Sequence, residues 1–289
     1  MYDSSTETVV VGHLSYSVDS ALGQAKGEPY GTMSWNTNRR IAVEVFIQGC
    51  KHPFRIPLDW LIRGGDFTWA FVYYLLHLFV NEAGTLVAAT KPEVEVVMGE
   101  PPAAGQYLFR PSHGEIGPQG NRKQGVKALG GDDASSVATS LSVPQTRFAK
   151  AVNGRDYKCI ITDVSESCQA AHLVPKSRTD VYAERLGDDF DLEYPYRVSH
   201  GILLKSDLHK QYGDYAFSFH TKENDDSYYV HVFNERFLGE YHGKIIPRTR
   251  FSPVAETWEL PDQRLCKWHY AQCILQNLRG FASSPRIRP

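Results

Sequence analysis

The sequence is short of the features that announce several common functions. It has five cysteines, an odd number, and none of Cys50, Cys159, Cys168, Cys266 and Cys273 forms a Cys-x-x-Cys pair. That argues against a disulfide framework and a four-cysteine zinc knuckle, and favours a reducing intracellular compartment, cytoplasm or nucleus. Net charge is almost absent: 31 Lys and Arg against 33 Asp and Glu leave −2 at pH 7. Any contact with nucleic acid must therefore come from local patches, because no global field steers it. The opening "MYDSSTETVVVGHL" lacks a basic segment followed by an apolar one, so no secretory signal is read there. No run is long enough for the membrane: "WAFVYYLLHLFV" (Trp69 to Val80) is about half a span, contains His77, and reads as a buried helix. The N-terminal part also lacks a glycine-rich phosphate loop, a nucleophile elbow and a carboxylate pair at a telling spacing.

What is present is an ordinary globular composition, 42% apolar and 22% charged over 289 residues, enough for one large domain or two modest ones. The pattern predicts an α+β chain: a β-rich unit with one helix over 1–115, a linker or long loop over 116–145, and a second unit over 146–289. In the first unit "ETVVVGHLSYSV", "RRIAVEVFIQG", "PFRIPLDWLI" and "EVEVVMGE" read as strands. The helix between them takes Asp66 as N-cap and Gly84 as the residue past its end. The linker is rich in Gly, Pro, Ser and Ala, with a small basic cluster at Arg122, Lys123 and Lys127. In the second unit a helix runs into a turn at Asn153-Gly154, and "YKCIIT" follows as a strand. "CQAAHLVP" is a short element stopped by Pro175. A polar excursion leads to "SHGILL", then to a short helix capped by Ser206 and ended by Gly213, then to the strand-like "YAFSFH". A helix, "DQRLCKWHYAQCILQNLRGF", comes last.

Chemistry concentrates in three histidines of this second unit. His172 and His200 lie on strand-like segments and His209 on the short helix. Strand-borne imidazoles are held rigidly and a helix can aim another into the same cleft, an arrangement suited to a catalytic metal site. The plain alternative for each is a hydrogen-bonded packing histidine. A neutral imidazole can take a proton from water near pH 7, since its unperturbed pKa is about 6.5. The run "CIIT", "QAAHLVP", "SHGILLKSDLHKQYGDYAFSF" resembles the HNH endonuclease domain, in the branch common in fungal genomes. The resemblance covers roughly Arg147 to Phe219, and more weakly Trp268 to Leu275. It implies a ββα-metal fold, a β-hairpin and helix gripping one divalent ion, and hydrolysis of phosphodiester bonds in nucleic acid, DNA rather than RNA. Carried over by motif, His172 takes the general-base position. His200 stands where the family has an asparagine that orients the base, and His209 takes the metal-ligand position.

Three positions depart from that pattern. Ala171 replaces the acidic or histidine ligand that precedes the base, His200 replaces the asparagine, and Gly213 stands one turn after His209 where a further ligand is usual. One imidazole does not hold a hard cation such as Mg²⁺, which prefers oxygen. Asp214 could complete the shell if the Gly213 turn re-aims it. His200 with His209 could favour Zn²⁺, Ni²⁺ or Mn²⁺. Substrate phosphate and water could also fill it. Otherwise the shell has lapsed, leaving a binding module or a histidine cluster for acid–base work on a small organic substrate, walled by Tyr194–Tyr196 and Tyr212–Phe219. Lys176 and Arg178 are the candidate phosphate ligands beside the site, against a default of a solvated mixed-charge face. Further basic segments are "KIIPRTR" (Lys244 to Arg250) and the tail residues Arg279, Arg286 and Arg288. The cysteine pairs Cys159/Cys168 and Cys266/Cys273 read as core, and His269 could project toward the site.

Overall fold

The computed structural model describes residues 8–11, 14–17, 41–47, 53–78, 80, 83–112, 143–190, 196–233 and 239–277. Most of the expected linker, its three basic residues, Cys50, Tyr194 and the tail arginines lie outside them. The chain is α+β, and its contacts divide it into two units. One is built from the described residues up to Ser112, together with residues 239–242 and the end of the last helix from Ile274. The other holds residues 143–233 and 243–273 of those described. Residues 239–242 thus join the first unit, although the sequence reading places everything after 146 in the second.

The first unit opens with a hairpin, β1 (Thr8–Val11) against β2 (Leu14–Ser17). A five-stranded sheet follows, made of β3 (Ala42–Ile47), β4 (Phe54–Pro57), β5 (Gly84–Ala88), β6 (Lys91–Glu95) and β7 (Gly105–Pro111), in the order β4-β3-β7-β5-β6. All its pairings are antiparallel except β3 with β7. Val43, Val45 and Ile47 alternate into the core, as a half-buried strand requires. The edge strand β6 is exposed throughout and carries Lys91, Pro92, Glu93 and Glu95, which block pairing with another chain. "PFRIPLDWLI" is only half strand: after Pro57 it turns into helix α1 (Leu58–Gly64), which buries Leu58, Trp60 and Leu61. A short apolar run has no period to separate the two states. Helix α2 (Trp69–His77) starts two residues later than an Asp66 cap predicts, because Thr68 Oγ1 accepts the Phe71 N–H at 3.2 Å. Gly84 lies in β5, where a Cβ would come within 2.4 Å of the Arg110 carbonyl oxygen.

The second unit begins with α3 (Val143–Asp156), which runs straight through the expected Asn153-Gly154 turn. Asn153 Nδ2 donates back to Ala149 O at 2.8 Å, so the side chain joins the helix instead of breaking it. "YKCIIT" is not a strand. It is a tight turn, closed by Cys159 N–H to Val164 O (2.9 Å) and Asp163 N–H to Cys159 O (2.9 Å), with Asp163 in the left-handed region at φ 60°. Strand β8 (Cys168–His172) follows, then α4 (Thr179–Leu186) inside the stretch read as a polar excursion. Next come a 3₁₀ turn at Val198–His200, β9 (Gly201–Lys205) and α5 (Ser206–Gly213). Helix α5 ends at Gly213 as its sequence predicts, but it takes in the expected cap Ser206: its N-cap is Lys205, and no side chain caps it. A second antiparallel sheet of β10 (Phe217–Thr221), β11 (Tyr228–Val232) and β12 (Ile245–Ile246) packs on α6 (Gln263–Asn277). Tyr270 of α6 sits against Phe233, and its hydroxyl meets His231 Nδ1 at 2.8 Å.

Candidate active site

The antiparallel hairpin of β8 and β9 is in register with Cys168 opposite Lys205 and His172 opposite Gly201. Alternation puts Cys168, Ala170 and His172 on one face, and Gln169 and Ala171 on the other. The hairpin runs one rung further through Leu173 N–H to His200 O at 2.8 Å. Helix α5 starts directly after β9, so a hairpin and a short helix form one ββα unit.

Three features of the second unit brace this hairpin, and the sequence reading missed them. The first is Arg155 with Asp156 at the end of α3, both almost fully buried. Arg155 Nε and Nη2 donate to the two Asp156 oxygens at 2.6 and 2.9 Å. The remaining guanidinium donors reach Gly201 O (2.7 Å), Val198 O (2.9 Å) and Glu259 O (2.8 Å), while Asp156 Oδ2 accepts the Leu203 N–H (2.8 Å). A buried charge pair is tolerable when its other donors and acceptors are satisfied, and these are used to hold the start of β9. The second is Phe148, buried on α3 beneath the hairpin. The third is Gln169. Adjacent charges before a cysteine were the only sequence sign of the first, and Phe148 and Gln169 gave none.

His172 stacks on Phe148 with ring centroids 4.3 Å apart and planes 12° from parallel, and Tyr196 meets it edge-on at 6.0 Å. The close approach requires Gly201: a Cβ there would lie 2.3 Å from Phe148 Cζ. His209, half-buried on α5, is 2.9 Å from Gln169 Oε1 through Nδ1. Because the amide oxygen accepts, Nδ1 carries the proton in the neutral ring and Nε2 keeps its lone pair. His200 is 2% exposed, its ring tilted against Tyr182 at 5.2 Å. Thus the structure joins His209 to Gln169 and His172 to Phe148, on opposite faces of the hairpin.

The residues present do not fit a resident divalent ion. Ala171, at the expected ligand position, offers a fully buried methyl group, and Gly213 has no side chain. Asp214 is exposed at the C-cap of α5, five residues past His209 and so well round the helix from it. Among the described residues no three His, Cys, Asp or Glu side chains are grouped to hold a metal. Of the expected phosphate ligands, Arg178 pairs with Asp180 through two bonds of 2.7 and 2.8 Å and lies over the Trp268 ring at 5.5 Å. This partner holds the Asp180 carboxyl below its ordinary pKa. Lys176 follows β8 on the Pro175 turn. The "KIIPRTR" cations are turned inward. Lys244 donates to Ile161 O, Arg250 to the carbonyls of Asp156, Lys158 and Cys159, and Arg248 to those of Ser252 and Ala255. Lys244 and Arg250 thus cap the end of α3 and the Cys159 turn, while Arg248 closes the loop that follows it. His269 is buried on α6 away from solvent, and burial pushes its imidazole down to about 3. Burial likewise raises the Cys266 and Cys273 thiols, as befits core residues.

A hairpin with a histidine at its strand end, followed at once by a short helix bearing another, defines a ββα nuclease-type unit. Residues 159–220 match the HNH endonuclease family, and this part of the chain is an HNH domain. The family supports nuclease activity on nucleic acid, generally with a divalent metal. Comparison with curated proteins and with solved structures gives no match. No helix among the described residues is long and apolar enough to cross a membrane.

Proposed function

We propose that this chain is an endonuclease that hydrolyses phosphodiester bonds in nucleic acid, DNA in preference to RNA, with His172 as general base. The observation that carries this reading is the His172–Phe148 stack at the end of the matched hairpin. An imidazole fixed by a ring on one face keeps its nitrogens directed along one plane, which suits removal of a proton from a water aligned with phosphorus. Lys176 supplies a cation beside the strand for a substrate phosphate. His200 supports the hairpin through its carbonyl. Because the described residues do not hold a divalent ion by themselves, the ion of the proposal, Mg²⁺, Mn²⁺, Ni²⁺ or Zn²⁺, would enter with the substrate, its shell completed by phosphate and water. Action in the cytoplasm or nucleus is proposed with it. A second reading is favoured by the buried Ala171 methyl: an HNH scaffold that has lost its ion and binds nucleic acid without cutting it.

Plasmid nicking separates them. Purified protein is assayed with each of the four ions singly, with EDTA, and as His172→Ala. Cutting that needs one ion and is abolished by both EDTA and His172→Ala is the expected result. Cutting that survives His172→Ala refutes the base assignment. Retarded but intact plasmid under every condition supports the second reading.

A further inference from the structure

We infer that two buried tyrosines, Tyr182 and Tyr212, are positioning residues that clamp the chain immediately after His172. The inference rests on the endonuclease reading for its link to catalysis. The Tyr212 hydroxyl, from α5, donates to Leu173 O at 3.2 Å, and the Tyr182 hydroxyl, from α4, donates to Val174 O at 2.7 Å. The two carbonyls that follow His172 are thus held from two helices. Leu173 N–H is meanwhile bound to His200 O.

Packing alone does not call for these hydroxyls. Tyr182 is fully buried and Tyr212 is 2% exposed. Phenylalanine would fill either place without desolvating an oxygen, so each phenol carries a cost that its hydrogen bond offsets. Burial raises the Tyr212 phenol well above its ordinary pKa, so it remains a donor across the working range of pH. Tyr212 is itself held from behind. His269 lies on its ring at 3.7 Å, 7° from parallel, and donates from Nε2 to Tyr212 O at 3.1 Å. Because Nε2 is the donor, Nδ1 accepts the Ser218 hydroxyl at 2.8 Å. Ser218 on β10 and His269 on α6 therefore fix the last turn of α5, and Tyr212 passes that placement to β8. His172 is gripped through the backbone on one side and through the Phe148 stack on the other. An imidazole misplaced by a fraction of an ångström loses alignment with its water, while substrate binding is untouched.

The test uses Tyr182→Phe, Tyr212→Phe and the double variant in the full chain. These keep the rings and the His269 stack and delete the hydroxyls that hold Leu173 O and Val174 O. Nicking kinetics of the double variant should show kcat reduced about tenfold with KM unchanged, and the acid limb of the pH–rate profile displaced. The His172 imidazole is followed in parallel by NMR, where the double variant should show a shifted titration midpoint and broadened ring signals. A double variant that matches wild type in the His172 titration overturns the clamp, whatever its stability. Wild type that fails to cut defeats the endonuclease reading, while the NMR comparison still decides whether the tyrosines set His172.

Discussion

Gly201→Ala exposes how the hairpin is built, because two opposing effects of the change can be weighed. Gly201 has φ −138° and ψ 167°, an extended conformation open to any residue. On backbone grounds alone, alanine would stabilise by about 0.4–1 kcal/mol, by restricting the unfolded chain. The space is not there. The new methyl would lie 2.3 Å from Phe148 Cζ, 2.7 Å from Cε2 and 3.1 Å from the Ala171 carbonyl oxygen. Reaching an ordinary carbon–carbon separation moves the ring by about 1 Å or more. Phe148 is 2% exposed, packed with Val152 and Leu203, and stacked on His172, so it has nowhere to go without disturbing them. Overpacking of this kind costs about 1–3 kcal/mol, which outweighs the entropic gain. Urea unfolding of Gly201→Ala should show a net loss of about 1–2 kcal/mol, and nicking should fall as the His172 stack is displaced. In a Phe148→Leu background the same substitution should become neutral or stabilising, since the clashing atoms are gone. A Gly201→Ala protein as stable as wild type with Phe148 intact refutes the close-packing argument.

Asp156→Asn leaves the buried Arg155 guanidinium without its counter-charge. It should destabilise the second unit by about 3–5 kcal/mol, measured by denaturant titration, and a loss below 1 kcal/mol counts against the clamp on β9. Acid should weaken both units through buried neutral histidines. Burial lowers His242, hydrogen-bonded to Trp60 O in the first unit, and His269 in the second, each to about 3. Their folded pKa lies below the unfolded value, so the unfolded chain binds the extra proton. The stability is complete above about pH 6.5 and is lost toward pH 3, at about 1.4 kcal/mol per pH unit for each histidine. Asp225, held below its ordinary pKa first by the Tyr229 hydroxyl, adds to the loss only below about pH 4. Urea midpoints at pH 7.5, 6.0 and 4.5 check this, and a midpoint unchanged between 7.5 and 4.5 contradicts it.

Periodicity and turn chemistry alone determine the α+β class, the short helix α5 with its end at Gly213, and the helix containing Trp268. The ordered motifs from Cys159 to His209 carry the resemblance to the HNH domain in the sequence itself, because each occupies a short local element: a turn, a strand, a short helix. Short apolar stretches such as "PFRIPLDWLI" and "YKCIIT" are undetermined, since pairing and capping partners far away in sequence choose between strand, helix and turn. Tertiary structure decides the rest of the site. Which face of the hairpin His172 takes follows from its register with Gly201, and its platform comes from Phe148 on another helix. The cations of "KIIPRTR" look available for phosphate in sequence. Folding directs them to orphaned carbonyls instead, because a buried helix end needs donors that only a distant segment can bring. Local sequence writes elements and motifs, but the partner of each buried polar group is set only when the chain closes on itself.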